Sequence, residues 1–273
     1  MFPLPVGVDA AWIYFVKASR RVYGTMHYMG PSRILAVRHG ESEANVAYRQ
    51  AGDTPLVYER GDDEVTLTAL GRRQAGALGQ LLGALPEEEA PELVCCSPYL
   101  RALDTWTVAS EVWRPLPVTT DERLRDRERG MFAPYNEAAI RQRHPEELTR
   151  WRAVGDYGYR PPGGESVGDV ALRVRAAVGG LRERADGRRV LIVAHDAVVL
   201  VLRHVIAGTP DADLAAVDEF APVLNASVST WRALDGRLEL LSFNDTDHLQ
   251  SVRHSQLDRH PPHRAEGLQE DGL

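Results

Sequence analysis

The tetrad Arg38-His39-Gly40-Glu41 puts a permanent cation beside an imidazole, and its neighbours say where both side chains emerge. The apolar run Ile34-Leu35-Ala36-Val37 before it reads as a buried strand, and Ser42-Glu43-Ala44-Asn45 after it reads as a helix start. In open α/β sheets, ligands bind at the carboxyl ends of strands. A helix N-terminus there adds free N–H groups and a partial positive charge, which suit phosphate. His195 repeats the arrangement: it closes Val190-Leu191-Ile192-Val193-Ala194 and precedes the mostly apolar stretch from Ala197 to Ile206. Two strand-end histidines with arginines nearby point to phosphoryl transfer through a histidine.

Elements that present such residues need a full core, and 273 residues can bury one. The composition is that of a globular chain, with 44% apolar and 26% charged residues. A net charge of −7 argues against nucleic acid or an anionic membrane as partner, so an anion site must come from local arginines. Lys17 is the sole lysine, so arginine usage is a global bias and no single arginine is marked by its type alone. Cys95 and Cys96 are adjacent in an apolar run and lack metal-ligand spacing. They read as buried, reduced thiols of a cytoplasmic protein. No run approaches the ~20 apolar residues that span a bilayer, and Val6–Val16, interrupted by Asp9, makes a poor signal peptide.

Residues 1–29 differ from the rest: they hold the only lysine, three of the four methionines and six aromatics. They read as an extension, either a misplaced start with Met26 or Met29 as the real one, or an aromatic arm. From Arg33 strands and helices alternate. Strands are expected at 33–38, 93–96, 116–119 and 189–194, with a closing hairpin of 223–232 and 238–243 across Asp235-Gly236. Helices are expected at 42–48 and 68–85, from Ser97-Pro98 to about Trp113, near 137–151, at 167–184 with Ser166 as N-cap, and at 197–206. Residues 50–64 read as a loop and 121–164 as the least regular region. The tail at 247–273 has little to bury and reads as disordered, with His248, His254, His260 and His263 solvated. The domain proper is thus 30–246. Alternation of this kind implies helices on both faces of a mostly parallel sheet, a three-layer α/β/α sandwich.

Four blocks then fall in one order. Ile34 to Asn45 resembles the signature of the histidine phosphatase superfamily, the phosphoglycerate mutase-like proteins. Cys96-Ser97-Pro98-Tyr99-Leu100-Arg101-Ala102, Gly163-Gly164-Glu165-Ser166 and Val193-Ala194-His195-Asp196 resemble its later blocks, and the likeness covers roughly residues 33–232. It implies a phosphoglycerate mutase-like fold and metal-independent hydrolysis of phosphomonoesters, with no cofactor and with a phosphorylated small molecule as substrate.

The resemblance also implies roles. His39 is the nucleophile and forms a phosphohistidine, its other ring nitrogen held by an acceptor that fixes the tautomer. Arg38 and Arg101 clamp the phosphoryl group, His195 adds a further donor to the charge that develops, and Asn45 can donate another. The family's general-acid block is filled by Leu124-Arg125-Asp126-Arg127-Glu128-Arg129-Gly130. Spacing puts Asp126 where the family has glutamate, with Glu128 as the alternative. Arg127 is a candidate contact for the rest of the substrate, and Glu165 either orients a site residue or merely favours a helix start. Asp196 replaces the family's common glycine and is expected to turn its carboxylate away from the phosphate, towards an arginine. Two rival readings remain at this level: a mutase that returns the phosphoryl group to the same substrate, and an inactive phospho-ligand module.

Overall fold

The structure, a computed structural model, describes residues 30–211, 213, 222–250 and 252. The expected extension at 1–29 and most of the expected tail lie outside the described residues. The chain runs β1 (Arg33–Arg38), α1 (Glu43–Ala51), α2 (Ala69–Ala84), β2 (Leu93–Cys96), α3 (Leu100–Val112), β3 (Val118–Thr120), α4 (Glu137–Arg143), α5 (Pro145–Val154), α6 (Val167–Arg184), β4 (Arg189–Ala194), α7 (Asp196–Ala207), β5 (Val228–Leu234) and β6 (Arg237–Asp245).

The strands form one sheet in the order β3-β2-β4-β1-β5-β6. The pairs β3–β2, β2–β4 and β4–β1 are parallel, whereas β5 and β6 are antiparallel. The central strands are apolar without interruption because both faces are covered. Ile34, Ala36, Val190 and Ile192 point to one face and pack with α6 and α7. Leu35, Val37, Leu191 and Val193 point to the other and pack with α2 and α3. Each fully buried Leu or Ile there contributes roughly 1.5–3 kcal/mol, so these layers hold the strand ends that carry the site. The expected sandwich is the observed architecture.

Cys95 and Cys96 follow the strand alternation onto opposite faces, both free and buried. Burial pushes the Cys95 thiol up to about 11 and raises Cys96 as well.

Local rules place most boundaries. Ser42 and Asn45 close a capping box on α1, and Ser166 and Asp169 close one on α6. Asp235 and Gly236 take positive φ (48° and 79°) in the two-residue turn joining β5 to β6. Four expectations shift. The first hairpin strand, expected from Val223, begins at Val228, because the chain turns at Ala226 to donate its N–H to Arg38 O and His39 O. The helix expected from Ser97 starts at Leu100 with Tyr99 in the N-cap position, because the Ser97 hydroxyl faces inward to His195. The helix expected near 137–151 is two, broken at His144-Pro145, where the proline ring clashes with a continuing helix. The expected tail boundary falls within a short turn, Asp247–Leu249, whose Leu249 is buried with Ala77 and Ala226. The neighbouring His248 is partly buried rather than solvated.

Candidate active site

Sheet order brings the site together. β4 lies between β1 and β2, so Arg38, Ala194 and Cys96 end side by side, and the residues that follow continue the pairing. His39 N–H donates to Ala194 O at 2.9 Å and Ser97 N–H to Val193 O at 2.9 Å. His39, His195 and Ser97 therefore meet at one sheet edge although they lie far apart in sequence. The His39 and His195 rings are 5.2 Å apart, edge to face.

The turn after His39 needs its glycine. A Cβ on Gly40 would stand 2.5 Å from the carbonyl oxygen of Gly71 in α2, so a side chain there would push the helix away. Glu41 ties the same junction: its carboxylate accepts from Thr68 at 2.8 Å and Arg49 at 2.7 Å.

His39 is held in one tautomer. Its Nδ1–H donates to Gly40 O at 2.7 Å, which leaves the Nε2 lone pair facing Arg101, whose Nε–H donates to it at 3.2 Å. Burial, followed by the charge of Arg101, by His195 and by Arg38, holds the His39 pKa well below its usual 6.5. A neutral imidazole with an available Nε2 lone pair can attack phosphorus.

His195 is fully buried. Ser97 Oγ accepts from Tyr99 N–H at 3.3 Å and shares a hydrogen bond with His195 Nε2 at 2.8 Å; when the hydroxyl donates there, the ring proton sits on Nδ1. Nδ1 makes no hydrogen bond among the described residues and lies 3.4 Å from Asp126 Oδ2. A buried ring nitrogen without a hydrogen-bond partner is costly, and this one lies on the side of Asp126. Burial and then Arg101 hold the His195 pKa well down, with Asp196 opposing.

Arg38 and Arg101 are each 3% exposed. Arg38 Nη1 donates to Val223 O at 2.6 Å, and Nη2 lies 4.0 Å from Asp196. The Asp196 carboxylate accepts from the backbone N–H of Ala197 at 2.7 Å. Asn45 Oδ1 accepts from Ser42 N–H at 3.0 Å and from Asn225 Nδ2 at 3.1 Å, so its amide NH₂ is the donor it can still offer. Asn225 also donates to His39 O at 3.1 Å.

The two acid candidates separate. Asp126 Oδ2 accepts from Arg101 Nη2 at 2.8 Å and faces His195, whereas Glu128 accepts from Tyr99 OH at 3.1 Å and Arg125 at 3.3 Å. Asp126 is thus the carboxylate brought to the histidines. Arg127 donates to the backbone oxygens of Glu165 (2.8 Å) and Tyr159 (3.2 Å), so it straps this loop to the next one. Glu165 accepts from Arg125 at 2.9 Å, Arg173 at 2.9 Å and the Glu128 N–H at 3.1 Å. Arg173 in turn donates to the carbonyl oxygens of Arg123 (2.7 Å), Arg125 (2.8 Å) and Asp126 (3.0 Å). Gly130 ends the loop at φ +55°, where a Cβ would stand 2.2 Å from Pro162 O.

Three participants have no local sequence signal, Arg173, Asn225 and Asp62, and two more, Ser97 and Tyr99, stand in the block at 96–102 where only Arg101 was given a role. Tyr99 packs edge to face on His195, with the Arg101 guanidinium 5.1 Å from its ring centre. Asp62 comes from the loop before α2, and both its backbone oxygen and its carboxylate accept from Arg101. Among the described residues no group of three or more His, Cys, Asp or Glu side chains has metal-ligating geometry, and no helix is long and apolar enough to cross a membrane.

Known proteins resemble this chain in sequence and in fold. A bifunctional protein of Mycobacterium tuberculosis is 33% identical over 165 residues, 60% of this chain and 41% of that one. The chain thus spans about two fifths of the length of that relative. Glucosyl-3-phosphoglycerate phosphatase of the same organism is 31% identical over 218 residues, 76% of this chain and 82% of that one. Among solved structures, YhfR of Bacillus stearothermophilus superposes with a TM-score of 0.65 at 28% identity, covering 80% of this chain and 99% of that one. Residues 34–246 match the family model of the histidine phosphatase superfamily, branch 1, and the chain belongs to that family.

Proposed function

We propose that the protein hydrolyses phosphomonoesters of small molecules by passing the phosphoryl group through His39. The observation that carries this reading is the pair of contacts on one ring: Nδ1–H donating to Gly40 O, and Nε2 accepting from Arg101 Nε–H, a donor that an incoming phosphoryl group can take over. The phosphatase names of relatives of comparable length support the same reaction class.

In the first half-reaction the Nε2 lone pair forms a bond to phosphorus while the P–O ester bond breaks. The leaving oxygen takes its proton from the Asp126 carboxyl. Arg38, Arg101 and the Nδ1–H of His195 point donors at the phosphoryl oxygens, where charge spreads in the transition state. Asn45 adds a donor from α1. In the second half-reaction water attacks phosphorus, gives its proton to the Asp126 carboxylate, and the N–P bond breaks. Glu165, with Arg173, fixes the loop that carries Asp126, and Arg127 secures the same loop. Glu128 acts on Tyr99, outside proton transfer. The permanent charges of Arg38 and Arg101 serve as the cations of the site, so chelators are expected to leave turnover unchanged.

Substrates with different leaving groups test the assignment. Asp126→Asn should slow alkyl phosphates roughly 10²–10⁴-fold and slow an activated aryl phosphate far less. Glu128→Gln should show no such dependence. The reverse pattern would move the proton donor to Glu128.

A further inference from the structure

Arg101 is already occupied by protein anions. Its Nε–H goes to His39, one Nη1–H goes to the Asp62 backbone oxygen, and Nη2, with two hydrogens, faces two carboxylates. Asp126 Oδ2 is 2.8 Å from Nη2, and Asp62 Oδ1 and Oδ2 are 3.1 and 3.2 Å away. A phosphoryl group gripped at Nη2 must take over one of that nitrogen's two hydrogens from a carboxylate. It must also bring its own negative charge to a pocket whose histidines are neutral and whose acids already face its arginine. The two acids are not equivalent. Asp126 is held on a loop braced by Arg173 and Arg127. Asp62 sits on a three-residue turn with no buried residue, and its side chain is 45% exposed. Its carboxyl can swing into water without uncovering the core.

We propose that Asp62 is a built-in competitor for the phosphate site: its carboxylate holds Arg101 in the free protein and is released by taking up a proton when a dianionic phosphate binds. The proposal rests on the phosphoryl site described above, but it concerns binding and not turnover. The groups around Asp62 agree with it. Although the Asp62 side chain is partly exposed, its carboxyl end packs on Arg101, and the desolvation there, followed by the charge of Asp126, raises its pKa to about 6, with Arg101 and Arg129 opposing. Among its other neighbours, Tyr48, Tyr58 and Tyr99 are raised and stay neutral through this range, and the acidic Asp63 and Glu64 follow it in the same turn. A bound dianion makes the proton on Asp62 more favourable still. Affinity should therefore be highest below about pH 6 and weaken above it. The slope is up to tenfold per pH unit until the Asp62 pKa of the bound state is passed. Substrate saturation, rather than the chemical step, would then favour acid conditions.

Sulfate tests this without turnover, since it is a tetrahedral dianion that does not itself titrate in the range. Its affinity is to be measured by calorimetry at about pH 6 and about pH 8, in two buffers of different ionisation enthalpy. The wild type is expected to bind at least about tenfold more weakly at the higher pH, with uptake of up to one proton on binding. Asp62→Asn should bind at the higher pH as tightly as at the lower one, and lose the proton uptake. Asp62→Ser should do the same, which covers a folding defect specific to the amide. Asp63→Asn, next in the turn and equally acidic, should keep the wild-type slope. A wild-type slope retained in both Asp62 variants would overturn the proposal and place the proton on another group, Asp126 or a histidine. So would an equal flattening in Asp63→Asn, which would make the effect one of general charge. If sulfate binds as described while phosphoester turnover is absent, the hydrolase reading fails and the Asp62 proposal stands.

Discussion

Ser97 Oγ lies 2.8 Å from Nε2 of His195, a residue 98 positions away, and that contact turns the other ring nitrogen, Nδ1, towards Asp126 at 3.4 Å. The bond exists because β2 and β4 are adjacent and in register, so the residue after each strand meets the other. Ser97→Ala removes the donor and lets the ring proton reside on Nε2, away from the phosphate. The expected result is a loss in kcat/KM of about tenfold to a hundredfold, equivalent to roughly 1.4–2.7 kcal/mol of transition-state stabilisation. Steady-state kinetics on one aryl phosphate suffices to check it, with unchanged circular dichroism as the control for folding.

Arg173 shows how a residue outside the cleft governs the proposed acid. Its guanidinium gathers three carbonyl oxygens of the loop at 123–126 and the Glu165 carboxylate. Arg173→Met should leave those acceptors unpaired and lower stability by about 2–4 kcal/mol, read as a lower midpoint in urea. Activity should fall more for alkyl than for aryl phosphates, because Asp126 loses its fixed position. Arg173→Lys, with a single charged nitrogen, should recover part of the stability and little of the leaving-group dependence.

Both site histidines are held neutral by burial and by the flanking arginines. Their lowered pKa values mean that the neutral, nucleophilic form persists as the pH falls through 6.5 and is lost only further into acid. At saturating substrate, kcat should therefore stay nearly flat from about pH 7 to about pH 5.5. A histidine with an ordinary pKa would lose about tenfold over that interval. A tenfold fall in kcat there would show that His39 titrates as an exposed imidazole does.

The fold was legible wherever a short-range rule governs. β1, β2 and β4 are apolar runs because both their faces are covered, and Ser166 stands before α6 as a capping residue should. The rule misled at Ser97, where a long-range partner took the hydroxyl that a helix cap would have used. His39, His195, Arg38 and Arg101 were marked by strand-end position and block order, and the structure brings them together. Glu128 and Asp126 are two residues apart in a run of alternating charges, so only the path of the loop tells which one reaches Arg101. Asp62 lies among Asp62, Asp63 and Glu64, and nothing in that triplet says which carboxylate turns inward. Arg173 and Asn225 act through backbone groups far away in sequence, a kind of contact that residue type does not reveal.

The account stands on the bond between His39 Nε2 and phosphorus. Rapid acid-free quenching of the wild type with a radiolabelled phosphomonoester should trap label on the protein. That label should be stable in base and labile in acid, and should map to the peptide that contains His39. His39→Ala should carry no label and show no turnover on any substrate, activated aryl phosphates included. Label on a different residue, or phosphate release by His39→Ala at the wild-type rate, would contradict the mechanism at its centre.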